Sequence, residues 1–154
     1  MGLDMYLDAT RFLRTYGDDN DQEVTVTIKG KKWSAKGDFN KPGKLKGVTC
    51  NAIYWRKANA IHKWFVDNVQ SGEDNCGTYY VSRQQLIQLK ELCEKVLANK
   101  DKASELLPIH QGFFFGTYEY DERYWDNLTG TIKEIDEVLE MFPEEWDFEY
   151  TSSW

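Results

Sequence analysis

Polar and apolar residues alternate near both ends of the chain, and this pattern predicts a strand at each end. GLDMYLDA alternates leucine and methionine with polar residues, and WDFEYTSSW alternates three aromatic residues with polar ones. EVTVTI, at 23–28, has the same period and β-branched residues, which favour a strand. A turn is expected at 18–21 and a further short strand at about 48–51.

Apolar residues recur at helical spacing in three longer segments. The first predicted helix runs from about Tyr54 to Val69 and ends at the glycine-containing segment SGEDNCG. Ser82 followed by Gln85 predicts a capping box at the start of a second helix. A short helix is expected at 101–107, and Asp121 is expected to cap a third long helix of about 20 residues.

Strands near both termini with helices between them predict an α+β fold. We expect one domain over residues 1–154, with a small, mostly antiparallel sheet built from the N- and C-terminal strands and packed with about three α-helices. Residues 29–47 carry seven lysines and four glycines. That composition is typical of a hairpin or a surface loop within the domain.

The net charge of −7 is unevenly distributed along the chain. Residues 1–99 carry 15 Lys and Arg against 12 Asp and Glu, whereas residues 100–154 carry 4 against 14. An acidic surface repels phosphates, so nucleic acid is an unlikely partner. The acidic third also leaves open a protein inhibitor that mimics nucleic acid by its charge.

The three cysteines, Cys50, Cys76 and Cys93, form no CxxC pair. Their odd number and the lack of a signal peptide predict free thiols in a cytosolic protein. No apolar run reaches the roughly 18–20 residues of a membrane span, so no membrane association is expected.

His62 falls inside the apolar stripe of the first predicted helix, with Asn59 one turn before it. Trp55 and Arg56 would lie on the adjoining flank. One interpretation is structural: the two polar side chains bind backbone carbonyls and fix the packing. The other is a pocket wall, in which His62 and Asn59 bind the polar edge of a ligand, Arg56 binds its anionic group and Trp55 stacks on it.

No metal site is predicted here, because no second His, Cys or carboxylate has the required spacing from His62. His110 would join a site only through the fold. GFFFGTYEYDE places Glu119 and Asp121 after an aromatic run bounded by glycines. These carboxylates could bind a ligand or cation, or Asp121 could simply cap the following helix. No cofactor is expected.

Five segments together resemble a family of small proteins encoded by tailed bacteriophages: MGLDMYL, YWRKANAIHKWFV, the following DNVQSGEDNC, GFFFGTYEYDE and the closing SSW. The resemblance spans nearly the whole chain. It implies an accessory protein expressed in the cytoplasm of an infected host bacterium. The family has no assigned biochemical activity, so the resemblance implies no catalytic residue.

These observations lead to a first hypothesis, a phage accessory protein that counters host defence or host metabolism. It would bind a small anionic or nucleotide-like ligand, or a host protein, through Trp55, Arg56, Asn59 and His62, with Glu119 and Asp121 nearby. The alternative is a hydrolase or transferase acting on a phosphorylated small molecule. In that case His62 would be the general base, and Glu119 or Asp121 would help to hold a metal ion.

Overall fold

The computed structural model describes residues 2–13, 23–36, 42–112 and 114–154. The chain divides into a larger compact unit, Met1–Ala9 with Asn51–Trp154, and a smaller one, Thr10–Cys50. The turn expected at 18–21 lies outside the described residues. The expectation that the whole chain is one domain stays a prediction.

The described residues form six strands and four α-helices. The strands are β1 Asp4–Phe12, β2 Thr25–Ile28, β3 Lys31–Ser34, β4 Gly47–Arg56, β5 Tyr79–Val81 and β6 Asp147–Ser153. The helices are α1 Asn59–Asn68, α2 Arg83–Ala98, α3 Ala103–Leu106 and α4 Glu122–Met141, with a 3₁₀ turn at Lys100–Lys102. Four strands form a mostly antiparallel sheet in the order β4-β1-β6-β5. The predicted α+β fold is confirmed.

The centre of this sheet consists of β1 and β6, the strands nearest the two ends of the sequence. In β1 alternate residues are buried, with Met5 and Leu7 fully inaccessible. Phe148, Tyr150 and Ser152 are the buried positions of β6, and the first two pair across to Val81 and Tyr79 of β5. The alternation in the sequence therefore identified the strands that carry the core.

The smaller unit contains an antiparallel hairpin of β2 and β3, in which Val26 pairs with Trp33. Lys29 and Gly30 form the two-residue turn, both with positive φ, which matches the right-handed twist of a hairpin. The hairpin expected within 29–47 thus begins earlier, at β2, and β3 occupies part of that segment. Residues 37–41 lie outside the described residues.

The predicted start of the first helix is wrong. Tyr54, Trp55 and Arg56 belong to β4, and α1 begins only at Asn59. Trp55 is buried while Tyr54 and Arg56 are exposed, which is the alternation of a strand. Lys57 then adopts a φ of 55° and turns the chain into α1.

The starts of α2 and α4 follow the predicted caps. The Ser82 hydroxyl accepts from the Gln85 N–H, and the Gln85 side chain accepts from the Ser82 N–H, as expected of a capping box. Asp121 accepts from the N–H of Tyr124 and caps α4. At the other end of α4, the Arg83 guanidinium donates to the carbonyls of Leu139 and Phe142. These contacts fix α2 against α4.

Candidate functional site

His62 lies in α1 with its side chain fully buried, and both of its ring nitrogens have partners. Nδ1 lies 2.7 Å from the Tyr150 hydroxyl oxygen, and Nε2 lies 3.0 Å from Oδ2 of Asp74. Because an ionised carboxylate only accepts hydrogen bonds, Nε2 carries the proton towards Asp74. The Tyr150 hydroxyl then donates to Nδ1.

The surroundings of His62 favour this neutral form. Burial lowers the pKa of His62, and the hydrogen bond and charge of Asp74 only partly oppose that change. Burial also raises the pKa of Tyr150, so its hydroxyl keeps the proton that it donates. The chain Tyr150–His62–Asp74 is therefore a satisfied hydrogen-bond network at neutral pH.

Asp74 belongs to the segment between α1 and β5. Ser71, Gly72 and Cys76 have positive φ values, so the segment turns back towards α1. Oδ1 of Asp74 accepts from the indole N–H of Trp154 at 3.0 Å. Oδ2, already bonded to His62, also lies 3.7 Å from Nε2 of His110.

Both histidines of the chain thus face one carboxylate oxygen. We call His62, Asp74 and His110 the histidine cluster. The Phe115 ring covers it, with its centroid 5.5 Å from the ring of His62 and 5.7 Å from that of His110. The side chain of His110 is 30% exposed and that of Asp74 20%, so the cluster is open to solvent on one side.

A second feature lies at the start of α1. An open cleft of about 330 Å³ is lined by Arg56, Lys57, Arg123 and Asn127. A neighbouring concavity is also lined by Lys57, Arg123 and Asn127, and it contains the first turn of α1 and Glu119. We call the two together the α1 cleft.

The cations of the α1 cleft are only weakly neutralised. Arg56 lies 3.8 Å from Asp4, and both side chains are partly exposed. Within the described part of the chain, Lys57 and Arg123 form no ion pair. The N-cap residue of α1 is Ala58, which provides no side-chain cap, and the first turn of α1 contains no acidic residue. Positive charge and backbone N–H groups therefore converge there.

The segment before α4 connects the two features. Phe115 lies on the histidine cluster, and the carbonyl of Thr117 accepts from Nδ2 of Asn59 at 2.9 Å. Gly116 lies between them with a φ of 116°, and a Cβ there would be 2.8 Å from the carbonyl oxygen of Lys57. Only glycine allows this close approach.

The residues predicted to share one helix flank are separated by the structure. Trp55 is 5% exposed and its indole N–H donates to Thr131 at 2.9 Å, whereas Arg56 is exposed at the end of β4. Asn59 binds a backbone carbonyl, as the structural interpretation expected, but His62 binds side chains instead. The single flank is therefore wrong, and the ligand-binding roles stay predictions.

The two acidic candidates also have different positions. Asp121 is occupied as the cap of α4, and Glu119 is exposed at the edge of the α1 cleft. Sequence reasoning did not select Asp74, Lys57 or Arg123. Asp74 occurs in a segment whose glycines and polar residues indicated only the end of a helix, and nothing in the spacing connects Arg123 with Lys57.

Comparisons with protein-family models, curated proteins and solved structures found no match to the chain. Among the helices of the described residues, none combines the length and the apolar character needed to cross a membrane.

The burial of neutral His62 predicts a pH-dependent stability. In the unfolded chain a histidine binds a proton near pH 6.5, at about its ordinary pKa, whereas in the folded protein the lowered pKa delays protonation to lower pH. The unfolded state then binds more protons, so we expect the contribution of His62 to be complete above about pH 6.5 and to be lost as the pH falls below it. Urea unfolding between pH 5 and 8 measures this.

His62→Gln should have a shallower dependence of unfolding free energy on pH over this range. His110→Gln is the comparison variant: His110 is partly exposed and only adds, as the smallest cause, to the lowered pKa of His62, so its loss should change the slope much less than His62→Gln. Equal slopes in wild type and His62→Gln would contradict the prediction.

Proposed function

We propose that the protein binds a small anionic ligand, such as a phosphorylated or nucleotide-like metabolite, in the α1 cleft. The observation that carries this proposal is a concentration of positive charge: in a chain of net charge −7, three of the four residues lining an open cleft are Arg56, Lys57 and Arg123. Such a local field attracts an anion although the protein as a whole is acidic.

The side chains of the cleft suit complementary parts of such a ligand. Arg123 presents a planar guanidinium that can form two parallel hydrogen bonds to a phosphate or carboxylate, and Lys57 supplies a point charge. Asn127 follows Arg123 by one turn of α4, so their side chains share a face of the helix. Glu119 can accept from a hydroxyl or amine of the same ligand, which favours a molecule with donors as well as an anionic group.

An enzyme that uses His62 as its general base is less well supported. Both ring nitrogens of His62 are engaged within the fold, and the side chain is fully buried. Asp121 is likewise used as a helix cap. The alternative partner is a host protein, which would contact the same exposed cations of the α1 cleft.

The setting we propose is the cytoplasm of an infected host bacterium, where sequestering a small metabolite would counter host defence or metabolism. The resemblance to tailed-phage accessory proteins supports this setting. The first experiment is to purify the protein from infected and from uninfected bacteria, denature it, and identify released small molecules by mass spectrometry. A stoichiometric anionic metabolite is the expected result.

Arg123→Gln should weaken binding of that metabolite by about 10- to 100-fold, since losing a charge-assisted hydrogen bond costs about 1.5–3 kcal/mol. Lys133→Gln is the matched control: it lies on the same helix and changes the net charge equally, but its exposed side chain pairs with Glu137 outside the cleft. Isothermal titration calorimetry measures both affinities.

Equal loss of affinity in the two variants would indicate a general charge effect and would contradict binding in the cleft. An empty protein that instead captures a single host protein, with binding weakened by Arg123→Gln, would replace the small ligand by a protein partner.

A further inference from the structure

We propose that the histidine cluster is a binding site for a divalent transition-metal ion, with Nε2 of His62, Oδ2 of Asp74 and Nε2 of His110 as ligands. This site is separate from the α1 cleft and does not depend on the proposed anion. The three side chains come from α1, from the segment before β5 and from the segment before Phe115, so only the fold brings them together.

The positions of the three atoms fit a metal centre. They all lie within 4.8 Å of one another, with 3.0 Å from Oδ2 to Nε2 of His62 and 3.7 Å to Nε2 of His110. Around an ion with bonds of about 2.0–2.2 Å, neighbouring ligand atoms are separated by roughly 3–3.5 Å. The separations of His110 Nε2 from the other two ligand atoms are longer than this, so binding would require a rotation of the partly exposed His110 side chain towards the ion.

The chemistry of the donors selects the class of ion. Two imidazoles and one carboxylate suit Zn²⁺, Fe²⁺, Co²⁺ or Ni²⁺, whereas Mg²⁺ and Ca²⁺ prefer oxygen ligands throughout. Three protein ligands leave one or more positions for water. The exposed edges of His110 and Asp74 give the ion a path into the site.

Neighbouring side chains form hydrogen bonds to the proposed ligands, as is usual around metal sites. The indole N–H of Trp154 binds the other oxygen of Asp74 and orients the carboxylate so that Oδ2 faces the two histidines. The Tyr150 hydroxyl lies 2.7 Å from Nδ1 of His62, where a ligating histidine needs an oxygen to accept its second N–H.

Metal binding requires the lone pair of Nε2, so His62 must lose its Nε2 proton and carry a proton on Nδ1 instead. The net change is a tautomer shift of the neutral imidazole, with no proton gained or lost overall, and Nδ1–H then donates to the Tyr150 oxygen. Ser152 offers the Tyr150 hydroxyl a new acceptor. It is buried two residues along β6, on the same face, and its hydroxyl interacts with that of Tyr150.

The hydrogen-bond network of His62 does not require His110. The pairing of His62 with Asp74 and Tyr150 is complete without it. Yet the ring of His110 lies with its centroid 5.8 Å from that of His62, and its Nε2 faces the same carboxylate oxygen without a hydrogen bond in the described parts of the chain. An ion shared by the two imidazoles and the carboxylate accounts for this arrangement.

The test is titration of the full chain, dialysed against a chelator, with Co²⁺ followed by visible absorption and with Zn²⁺ followed by calorimetry. We expect one equivalent of each ion to bind and Co²⁺ to give the d–d bands of imidazole and carboxylate ligation. Since the chain has two histidines, NMR should show both imidazoles shifting together with one equivalent of Zn²⁺.

His110→Ala is the decisive variant, because its partly exposed side chain can be removed without opening the core. We expect at least a 100-fold weaker affinity for Zn²⁺ with an unchanged melting temperature of the chelated protein. Cys76→Ser is the matched control, since this exposed thiol follows Asp74 by two residues and is itself a possible zinc ligand. Its affinity should equal that of the wild type.

Wild-type affinity for Zn²⁺ in His110→Ala, or loss of binding in Cys76→Ser alone, would overturn the proposed ligand set. Absence of Co²⁺ and Zn²⁺ binding up to millimolar concentration would reduce the cluster to a structural hydrogen-bond network. None of these results affects the affinity of Arg123→Gln for the anionic metabolite. The metal site and the anion site can therefore fail independently.

Discussion

Replacing Tyr150 by alanine is expected to lower the free energy of unfolding by about 3–5 kcal/mol, the range found when buried aromatic residues are truncated. The Tyr150 side chain is fully inaccessible in the central strand β6. Its ring stacks on Phe65 of α1, with centroids 3.9 Å apart and an interplanar angle of 6°. The truncation therefore opens a cavity between sheet and helix, and urea unfolding measures the loss.

Tyr150→Phe separates the ring from the hydroxyl. It keeps the stack on Phe65 but leaves Nδ1 of buried His62 without its partner, for which we expect a smaller loss of about 1–3 kcal/mol. Tyr80→Ala is the control, because this tyrosine is 62% exposed on β5. If Tyr150→Ala were no more destabilising than Tyr80→Ala, the packing of β6 described above would be incorrect.

Trp55→Ala is expected to cause a second large loss, also about 3–5 kcal/mol. The indole is 5% exposed, its N–H donates to Thr131 of α4, and its ring centroid lies 5.6 Å from that of Phe65. Removing it leaves a cavity between β4, α1 and α4 together with an unpaired Thr131 hydroxyl. Thermal and urea unfolding provide the measurement.

This variant also distinguishes two interpretations of Trp55. A tryptophan that stacks on a ligand in an open pocket would lose ligand affinity on truncation while the protein kept its stability. A core tryptophan loses stability whether or not ligand is present. Tyr54→Ala is the neighbouring comparison: Tyr54 lies on the opposite, exposed face of β4, where it donates to Asp4 and packs on Tyr6, so its removal should destabilise clearly less than Trp55→Ala.

Most of the elements were predictable because local patterns determine them. Apolar and polar residues alternate in β1 and β6 because only one face of each strand is buried. The caps at Ser82 and Asp121 depend on hydrogen bonds to residues only three positions away. The boundary between β4 and α1 could not be predicted in this way. Apolar positions in YWRKANAIHKWFV fit a helix, and the break depends on the positive φ of Lys57, a residue type that gives no such signal.

The sites were harder to predict because they depend on distant segments. His62 was correctly singled out as an unusual buried polar residue, but its partners Asp74 and Tyr150 lie 12 and 88 positions away. The α1 cleft likewise joins Lys57 to Arg123 of α4. Spacing along the sequence carries information within a helix or strand, whereas these contacts depend on how the elements pack.

The order of strands in the sheet also determines when this protein can fold. Among the strands of the described residues, β1 comes earliest in the sequence and β6 latest, yet they are neighbours at the centre of the sheet, and β5 is held through β6. Until β6 has left the ribosome, β1 has only β4 as a partner, and the aromatic residues of α1 lack their β6 surface. Contacts between such distant segments slow folding, so the sheet of the larger unit cannot be completed before β6 is available.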